Sequence, residues 1–201
     1  MRPERLDDAI AGRAALLKVA LDCFVEKGFH GTSMRDIAQR ASASIAAIYY
    51  YFPSKADILR HIMIDVTQDL IVALERARDA AGPDAAKQLA AVVRAHVRLH
   101  TIRQSESFIG NTELRSLAPA DRDHMIALRD QVAEIFRTPI QSGAKRGVFR
   151  CAYPHEATLA ILTMCTAVAG WYRADGTETP ETLADRFAAL ALAMVGFSGA
   201  A

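Results

Sequence analysis

The 201-residue sequence predicts an all-α protein of about nine helices, in which three short helices precede longer ones. Apolar residues recur at the three- and four-residue spacing of an amphipathic helix along nearly the whole chain. No segment has the strict alternation of a half-buried strand. The composition, 51% apolar and 23% charged, is ordinary for a folded globular chain with a hydrophobic core.

Turn and cap signals divide the chain into these helices. The predicted helices cover about residues 16–28, 33–41, 45–51, 55–79, 84–103, 108–117, 119–147, 154–174 and 180 onward. Ser33 with Asp36, and Ser54 with Asp57, have the spacing of a helix-capping pair, which predicts where the second and fourth helices begin. Gly28 is a suitable end for the first helix.

Prolines mark the later boundaries. Pro119, Pro154 and Pro180 suit the first turn of a helix, where the missing N–H is not needed. Thr179 is a suitable cap in front of the last of them. Pro139 lies inside the seventh predicted helix, so we expect a kink or a break there.

The first three helices predict a helix-turn-helix arrangement, because the link between the second and third is tight. In such a pair the first helix crosses the DNA backbone and the second enters the major groove. Residues 45–51 suit the groove, since Ala46 and Ala47 are small and an alanine methyl can touch a thymine methyl. Ile48 is the expected inward anchor of this helix.

Three consecutive tyrosines, Tyr49, Tyr50 and Tyr51, follow on the same helix. Successive helical positions point about 100° apart, so the three rings cannot all face one core. A phenol is long and stiff and can donate to phosphate oxygens. The alternative interpretation is an aromatic hinge that packs three helices together, and Phe52 fits that role best.

Two further positions predict phosphate contacts. Thr32 and Ser33 stand at a helix start, where free N–H groups and the helix dipole favour an anion. Lys55 stands in the first turn of the fourth helix, where a cation is slightly unfavourable unless a phosphate lies in front of it.

The stretch KVALDCFVEKGFHGTSMRDIAQRASASIAAIYYYFPSKADIL, residues 18–59, resembles the DNA-binding domain of TetR-family transcriptional regulators. The residues that carry the resemblance are Phe24, Gly28, Phe29, Thr32, Ser33, Met34, Ile37, Ala38, Ser44, Tyr49 and the run from Tyr51 to Lys55. The resemblance implies a helix-turn-helix DNA-binding domain at 1–54. It also implies an effector-binding and dimerisation domain at 55–201.

The resemblance assigns roles to matching positions. The implied phosphate contacts are Thr32 or Ser33, Tyr49, Tyr51 and Lys55. The implied groove-facing residues are Ser44, Ala46, Ala47 and Tyr50, with Arg35 beside them. For Arg35 an ordinary solvated position on the helix face is the alternative.

Two positions depart from the family pattern. Ser42 stands where the family usually has a glycine in the turn, and Ile45 stands where it often has a lysine. Serine can occupy a turn, so the fold is not in question. We expect the missing cation at 45 to weaken the contact with phosphate.

The last two helices predict a homodimer. Residues 157–172 leave no polar face, and no charge occurs from Phe187 to the C-terminus. A helix that is apolar all round must be covered on every side, which favours a self-complementary interface between two subunits. The resemblance implies the same four-helix interface, and two core helices in a monomer are the alternative. The expected interface residues are Leu162, Cys165, Val168, Ala169, Phe187, Leu190 and Met194.

The resemblance also implies a pocket for a small-molecule effector in the middle helices. The candidates are polar or aromatic residues near apolar neighbours, each with an ordinary packing, capping or surface role as its alternative. They are His96, His100, Phe108, Asn111, Arg115, Trp171 and Tyr172. The stretch FIGNTELRSL, 108–117, resembles the sixth helix of TetR-type regulators of lipid, steroid or aromatic catabolism, several of which answer to acyl-CoA thioesters. We therefore expect a small apolar or acyl-type effector, an acyl-CoA or another hydrophobic metabolite.

The expected function is a repressor that leaves a palindromic operator in double-stranded DNA when its effector binds. The alternative is an all-helical small-molecule-binding protein or an enzyme without DNA affinity. His96 and His100 have the spacing of a metal pair, but neither a glutamate after His96 nor a nearby cysteine completes a site, so no metal or cofactor is expected. Cys151 and His155 could activate a thiol but fit a loop and a helix start more simply, so no enzyme activity is expected.

Composition and charge indicate where in the cell the protein is expected. The net charge is only +1, so a nucleic-acid site must be a local patch. Three cysteines without framework spacing predict a reducing compartment, and the charged N-terminus is unlike a signal peptide. The longest uncharged run, 157–172, falls short of the ~20 residues that span a bilayer. We expect a cytoplasmic protein without a membrane partner.

Overall fold

The computed structural model describes the backbone of residues 3–199 and the side chains of residues 12–199. This part of the chain forms nine α-helices and no strand, which confirms the predicted fold class. The helices are α1 (Pro3–Gly31), α2 (Met34–Arg40), α3 (Ile45–Tyr51), α4 (Lys55–Ala80), α5 (Ala85–Ile102), α6 (Gln104–Thr112), α7 (Pro119–Lys145), α8 (Pro154–Trp171) and α9 (Pro180–Met194). A short 3-10 turn, Leu114–Ser116, links α6 to α7.

The helix boundaries follow the cap signals in the sequence. Ser33 and Asp36 form the predicted capping box at the start of α2. Ser54 caps α4 by accepting a hydrogen bond from the Asp57 amide, and Thr179 caps α9. These contacts use backbone donors that a helix start leaves without partners.

Three details differ from the expected boundaries. Gly28 has φ 74° and interrupts the helical conformation of α1, but one more helical turn follows it up to Gly31. Pro139 does not split α7, which runs on to Lys145 with the proline ring buried. The predicted sixth helix ends at Thr112 and gives way to the 3-10 turn.

The core of the head, defined as α1–α3 with the first turns of α4, is apolar and tightly closed. Phe24, Ile37, Ile48, Phe52 and Ile58 are each at most 1% exposed. Ile48 therefore anchors α3 inward as expected, and Phe52 is a packing residue. Burying side chains of this size stabilises the fold by roughly 1.5–3 kcal/mol each relative to exposing them.

Helix α5 lies at the centre of the larger bundle. It packs against α4, α7, α8 and α9, and more briefly against α6. Val92, Val93 and Val97 on it are fully buried. None of the helices described is long and apolar enough to cross a membrane.

Candidate nucleic-acid interface and buried cavity

Helix α3 presents its outer face to solvent. Ser44 caps it by accepting a hydrogen bond from the Ala47 amide at 3.1 Å, and Ile48 holds its inner face. Ser44 and Ala46 are exposed and Ala47 is partly exposed. This is the geometry of a recognition helix, in which small residues allow close approach to base edges.

The three tyrosines point in different directions. Tyr50 is 80% exposed and Tyr49 is 49% exposed, so both phenols are available to a ligand outside the head. Tyr51 is partly buried, with its ring edge-on to Tyr50 at 5.1 Å between centroids. A Cβ on Gly12 would come within 3.0 Å of the Tyr51 hydroxyl, so this phenol packs against α1. The phosphate role of Tyr51 stays a prediction, and packing against α1 is its observed role.

Thr32 is a correction to the expected phosphate contacts. It is only 2% exposed. Its hydroxyl donates to the carbonyl oxygens of Gly28 at 2.9 Å and Cys23 at 3.1 Å. A buried, satisfied hydroxyl cannot reach a DNA phosphate, so Thr32 stabilises the end of α1 instead. Ser33 remains exposed at the start of α2, next to the Asp36 carboxylate.

Lys55 is also occupied inside the head. Its ammonium donates to the backbone oxygens of Phe29 and Thr32, each at 2.6 Å. It lies 4.3 Å from the centroid of the Phe29 ring. The lysine thus joins the first turn of α4 to the end of α1. Its phosphate contact stays a prediction and would have to use a remaining N–H.

Two cations of α1 and α2, Lys27 and Arg40, are paired with carboxylates. Lys27 lies 2.8 Å from Asp36, and this contact and Ser33 hold the pKa of that carboxyl far below its usual value. Arg40 forms a two-pronged pair with Glu26. Arg35 is exposed, and no carboxylate of the described chain lies within ion-pair distance of it. Arg35 is therefore available for the DNA contact predicted for it.

The two departures from the family pattern have visible consequences. Ser42 has φ 51° and is the only non-glycine residue of the described chain with a positive φ. A side chain in this left-handed region costs roughly 1–2 kcal/mol, which a glycine avoids. Ile45 is 38% exposed at the first position of α3, so an apolar side chain occupies the place of the expected cation.

A cavity of about 180 Å³ lies between α4, α5, α6, α7 and α8. Its lining residues are Val66, Thr67, Leu70, His96, Leu99, His100, Ser107, Gly110, Asn111, Arg129, Val132, Leu162 and Thr166. Three predicted effector residues, His96, His100 and Asn111, are among them. The placement comes from the way five helices converge beside the central α5.

Four predicted effector residues lie away from this cavity. Phe108 is 36% exposed and Arg115 is exposed in the 3-10 turn, because neither faces inward from its helix. Trp171 is 52% exposed and packs against Phe187. Tyr172 is buried, but its hydroxyl donates to the Glu178 carbonyl at 3.4 Å. These four residues have packing or surface positions, which was the alternative considered for each.

The two histidines form a neutral stacked pair. Their rings are 4.1 Å apart and nearly parallel, and the His96 ring meets Phe136 edge-on. Burial lowers the pKa of His96 well below its usual value, and burial lowers the pKa of His100 to about 4. Both rings are therefore uncharged at neutral pH. Among the described residues, no three His, Cys, Asp or Glu side chains are placed to hold a metal ion.

Several polar residues of the cavity escaped the sequence analysis. Ser107 is 3% exposed, and its hydroxyl oxygen, like His96 Nδ1, is buried without a hydrogen-bond partner. Leaving such a group unpaired costs about 1–3 kcal/mol. Arg129 donates from Nη2 to the Gly110 carbonyl at 2.6 Å, and burial lowers its pKa. Only the spacing of Arg129 and Val132 on one helix face could have indicated that this arginine points inward.

The expected dimer residues fall into two groups. Cys165, Val168 and Ala169 are at most 3% exposed within the subunit, so they belong to its own core and not to an interface. Leu162 faces the cavity. In contrast, Leu190 is 51% exposed and Met194 is 45% exposed on α9.

Exposed apolar residues also occur on α8. Leu159 is 48% exposed, and Trp171 packs beside the half-buried Phe187. We call Leu159, Trp171, Phe187, Leu190 and Met194 the α8–α9 face. A large exposed apolar surface on a globular subunit marks an interaction site.

A helix-turn-helix head joined to a helical bundle with an internal cavity defines a DNA-binding regulator. Residues 16–62 match the family described as bacterial regulatory proteins, tetR family, and residues 82–195 match the tetracyclin repressor-like C-terminal domain. The chain is 28% identical over 197 residues to the HTH-type transcriptional repressor KstR2 of Rhodococcus jostii (strain RHA1), and the alignment covers 96% of each chain.

Solved structures show the same architecture. The TetR family transcriptional regulator PfmR from Thermus thermophilus is 32% identical, with a TM-score of 0.83 over 92% of this chain and 99% of that one. The structure of AibR in complex with isovaleryl coenzyme A and operator DNA is 23% identical, with a TM-score of 0.80 over 89% of this chain and 97% of that one. The protein belongs to the TetR family and is a DNA-binding transcriptional regulator.

Proposed function

We propose that this regulator is a ligand-responsive repressor. Its homodimer binds a palindromic operator, and a small apolar or acyl-type effector in the α4–α8 cavity releases it. The observation that carries this is the cavity itself, in which Ser107 and His96 each bury a polar atom without a partner. KstR2 is named a repressor, and AibR was solved with isovaleryl coenzyme A and operator DNA, which supports both halves of the proposal.

The proposal divides the chain into two parts. In this proposal residues 1–54 form the DNA-binding domain, and residues 55–201 bind effector and dimerise through the α8–α9 face. Such a regulator acts on the chromosome in the cytoplasm. A cavity of about 180 Å³ holds roughly six to ten non-hydrogen atoms, since one of ~150 Å³ takes up benzene. Of an acyl-CoA, only a short acyl group would therefore fit inside.

Two paths connect the cavity to the head. Helix α4 lines the cavity with Val66, Thr67 and Leu70 and begins in the head at Lys55. Helix α6 lines it with Ser107, Gly110 and Asn111, and the segment that follows reaches the end of α1.

The second path ends in a short hydrogen-bond chain. The Ser116 hydroxyl donates to Glu113 Oε2 at 2.6 Å and lies 3.2 Å from His30 Nε2. An effector that prefers one arrangement of α4 and α6 would thereby bias the separation of the two heads. Differential affinity for the two arrangements is the only driving force required.

A gel-shift titration on the DNA that flanks the gene tests the proposal. Tyr49→Phe removes one exposed hydroxyl without a packing change. Tyr50→Phe removes the exposed hydroxyl that is expected to face the major groove. We expect operator affinity to fall on the order of 10-fold for the variant that loses a phosphate contact, because hydrogen bonds to charged groups contribute about 1.5–3 kcal/mol.

Tyr153→Phe is the matched control, since Tyr153 is 72% exposed and lies outside the head. Wild-type binding should weaken steeply as salt rises, because phosphate contacts release counterions. Absence of a shifted band at low salt on any flanking fragment would contradict the proposal. So would equal affinities of all three tyrosine variants and the wild type.

A further inference from the structure

Arg129 is the charged residue of the cavity wall. It is half-buried on α7, burial lowers its pKa, and no carboxylate of the described chain lies within ion-pair distance of it. No Asp or Glu is among the residues that line the cavity. An arginine keeps its proton under these conditions, so the cavity wall carries a net positive charge.

The hydrogen bonds of Arg129 leave most of its donors unused. Nη2 donates to the carbonyl of Gly110, which lies in the last turn of α6 and has no helical partner of its own. This contact fixes the guanidinium at the cavity wall. Its remaining N–H groups have no acceptor within the described chain and can bind an anion in a two-pronged arrangement.

Two other polar groups of the same cavity have no hydrogen-bond partner within the described chain. The Ser107 hydroxyl lies one helical turn before Gly110 on α6 and lines the same cavity as Arg129. His96 Nδ1 is buried on the α5 wall. A hydroxyl donor and the remaining N–H groups of the guanidinium together suit one planar group with two oxygen atoms, and His96 adds a donor in its Nδ1–H tautomer.

The rest of the wall limits what can be attached to that group. Val66, Leu70, Leu99, Val132 and Leu162 supply apolar surface. The volume of about 180 Å³ admits a compound of roughly six to ten non-hydrogen atoms. A phosphate group carries up to two charges and would face a single cation, whereas a carboxylate matches it one to one.

We propose that the effector carries a free carboxylate, which Arg129 and Ser107 bind while a short aliphatic or aromatic tail occupies the apolar part of the cavity. This inference rests on the proposed effector function of the same cavity. It narrows the ligand class from apolar compounds in general to small organic acid anions. A neutral thioester or alcohol leaves the charge of Arg129 uncompensated.

The test compares matched acids and amides on the full-length protein without DNA. Hexanoate and benzoate are titrated by calorimetry beside hexanamide and benzamide, which have the same shape without the charge. We expect the acids to bind at least about 10-fold more tightly than the amides. Equal binding of acid and amide, or no binding of either acid at millimolar concentration, overturns the inference.

Variants identify the groups involved. Arg129→Gln should weaken acid binding on the order of 10-fold or more and leave amide binding unchanged, and Ser107→Ala should weaken it by a smaller factor. Arg122→Gln, an exposed change on the same helix, is the control. If Arg129→Gln fails to fold, Ser107→Ala decides, and unchanged acid affinity in it refutes the assignment.

Failure of the wider proposal gives a different result. If the acids bind in calorimetry but do not release the regulator from DNA in the gel shift, the carboxylate site stands and the effector role fails. If an amide releases DNA as well as its acid does, the carboxylate inference fails and effector control stands.

Discussion

Lys55 provides a direct test of the structure against the sequence pattern. The resemblance assigns this lysine to a DNA phosphate, but its ammonium holds the carbonyls of Phe29 and Thr32 at 2.6 Å each. We expect Lys55→Ala to destabilise the head as well as to reduce DNA binding. The structural effect should be visible without any DNA.

The magnitude follows from the lost contacts. Hydrogen bonds with a charged partner contribute about 1.5–3 kcal/mol each, and the contact with the Phe29 ring adds about 0.5–1 kcal/mol. Because Lys55 is partly exposed, water replaces some of these contacts in the variant, and we expect the free energy of unfolding to fall by about 2–4 kcal/mol. For a chain of this length each kcal/mol lowers the Tm by roughly 2–4 °C, so the Tm should fall by roughly 5–15 °C.

Thermal unfolding followed by far-ultraviolet circular dichroism measures this change, and hydrogen exchange at the ends of α1 and α4 locates it. Lys18→Ala is the matched control, since Lys18 is exposed on α1. A Tm within about 1 °C of wild type, together with a salt dependence of DNA binding reduced by about one counterion, would refute the structural role. In that case Lys55 contacts phosphate as the family pattern implies.

Three further predictions concern the turn, the subunit face and the histidines. Ser42→Gly should raise the free energy of unfolding in urea by about 0.5–1 kcal/mol, because glycine removes the strain of a left-handed serine at some cost in chain entropy. Ser42→Ala keeps the strain and should not raise the free energy of unfolding. Equal stability of the Ser42→Gly and Ser42→Ala variants would contradict this account. Leu190→Glu should convert the dimer to a monomer, measured by light scattering, and should abolish operator binding. Ile126→Glu on α7 should do neither. If the Leu190→Glu protein remains dimeric, the α8–α9 face is not the dimer interface. His100 is buried in its neutral form with its pKa lowered to about 4, so the unfolded state takes up a proton at a higher pH than the folded state does. The free energy of unfolding should therefore fall by up to about 3 kcal/mol as the pH drops from about 6.5 to 4. Above about pH 6.5 this contribution should not change with pH. His96, also buried and neutral, contributes in the same direction, so His100→Gln should reduce that slope in urea titrations without abolishing it. Exposed His124→Gln should leave the slope unchanged, and an unchanged slope in His100→Gln would contradict the assignment.

The DNA-binding head was largely predictable because its signals are local. Caps such as Ser33 with Asp36, the period of Ile37 and Ile48, and the small residues of α3 act within a few positions of each other. A helix needs no distant partner to define its ends. Thr32 was assigned wrongly although its acceptors, Gly28 and Cys23, are near in the sequence, because the burial of its hydroxyl depends on how the helices pack.

The effector cavity was predictable only in part for the same reason. His96 and His100 stood out by their spacing on one helix, and both line the cavity. Arg129 and Ser107 did not, because an isolated arginine on α7 and a serine on α6 look like surface residues until other helices enclose them. Local sequence patterns do not record which helix faces meet.

By itself the sequence determined the helical fold class, the nine helices found in residues 3–199, the family and the outward-facing phenols of α3. The tertiary structure alone decided that Cys165 and Val168 are core residues, that Lys55 binds carbonyls, and that Arg129 lines a cavity. The physical reason is the separation along the chain over which each kind of interaction acts. Periodicity and capping are interactions between near neighbours in the chain, whereas burial, hydrogen-bond partners and the charge of a cavity depend on segments that meet only when the helices pack.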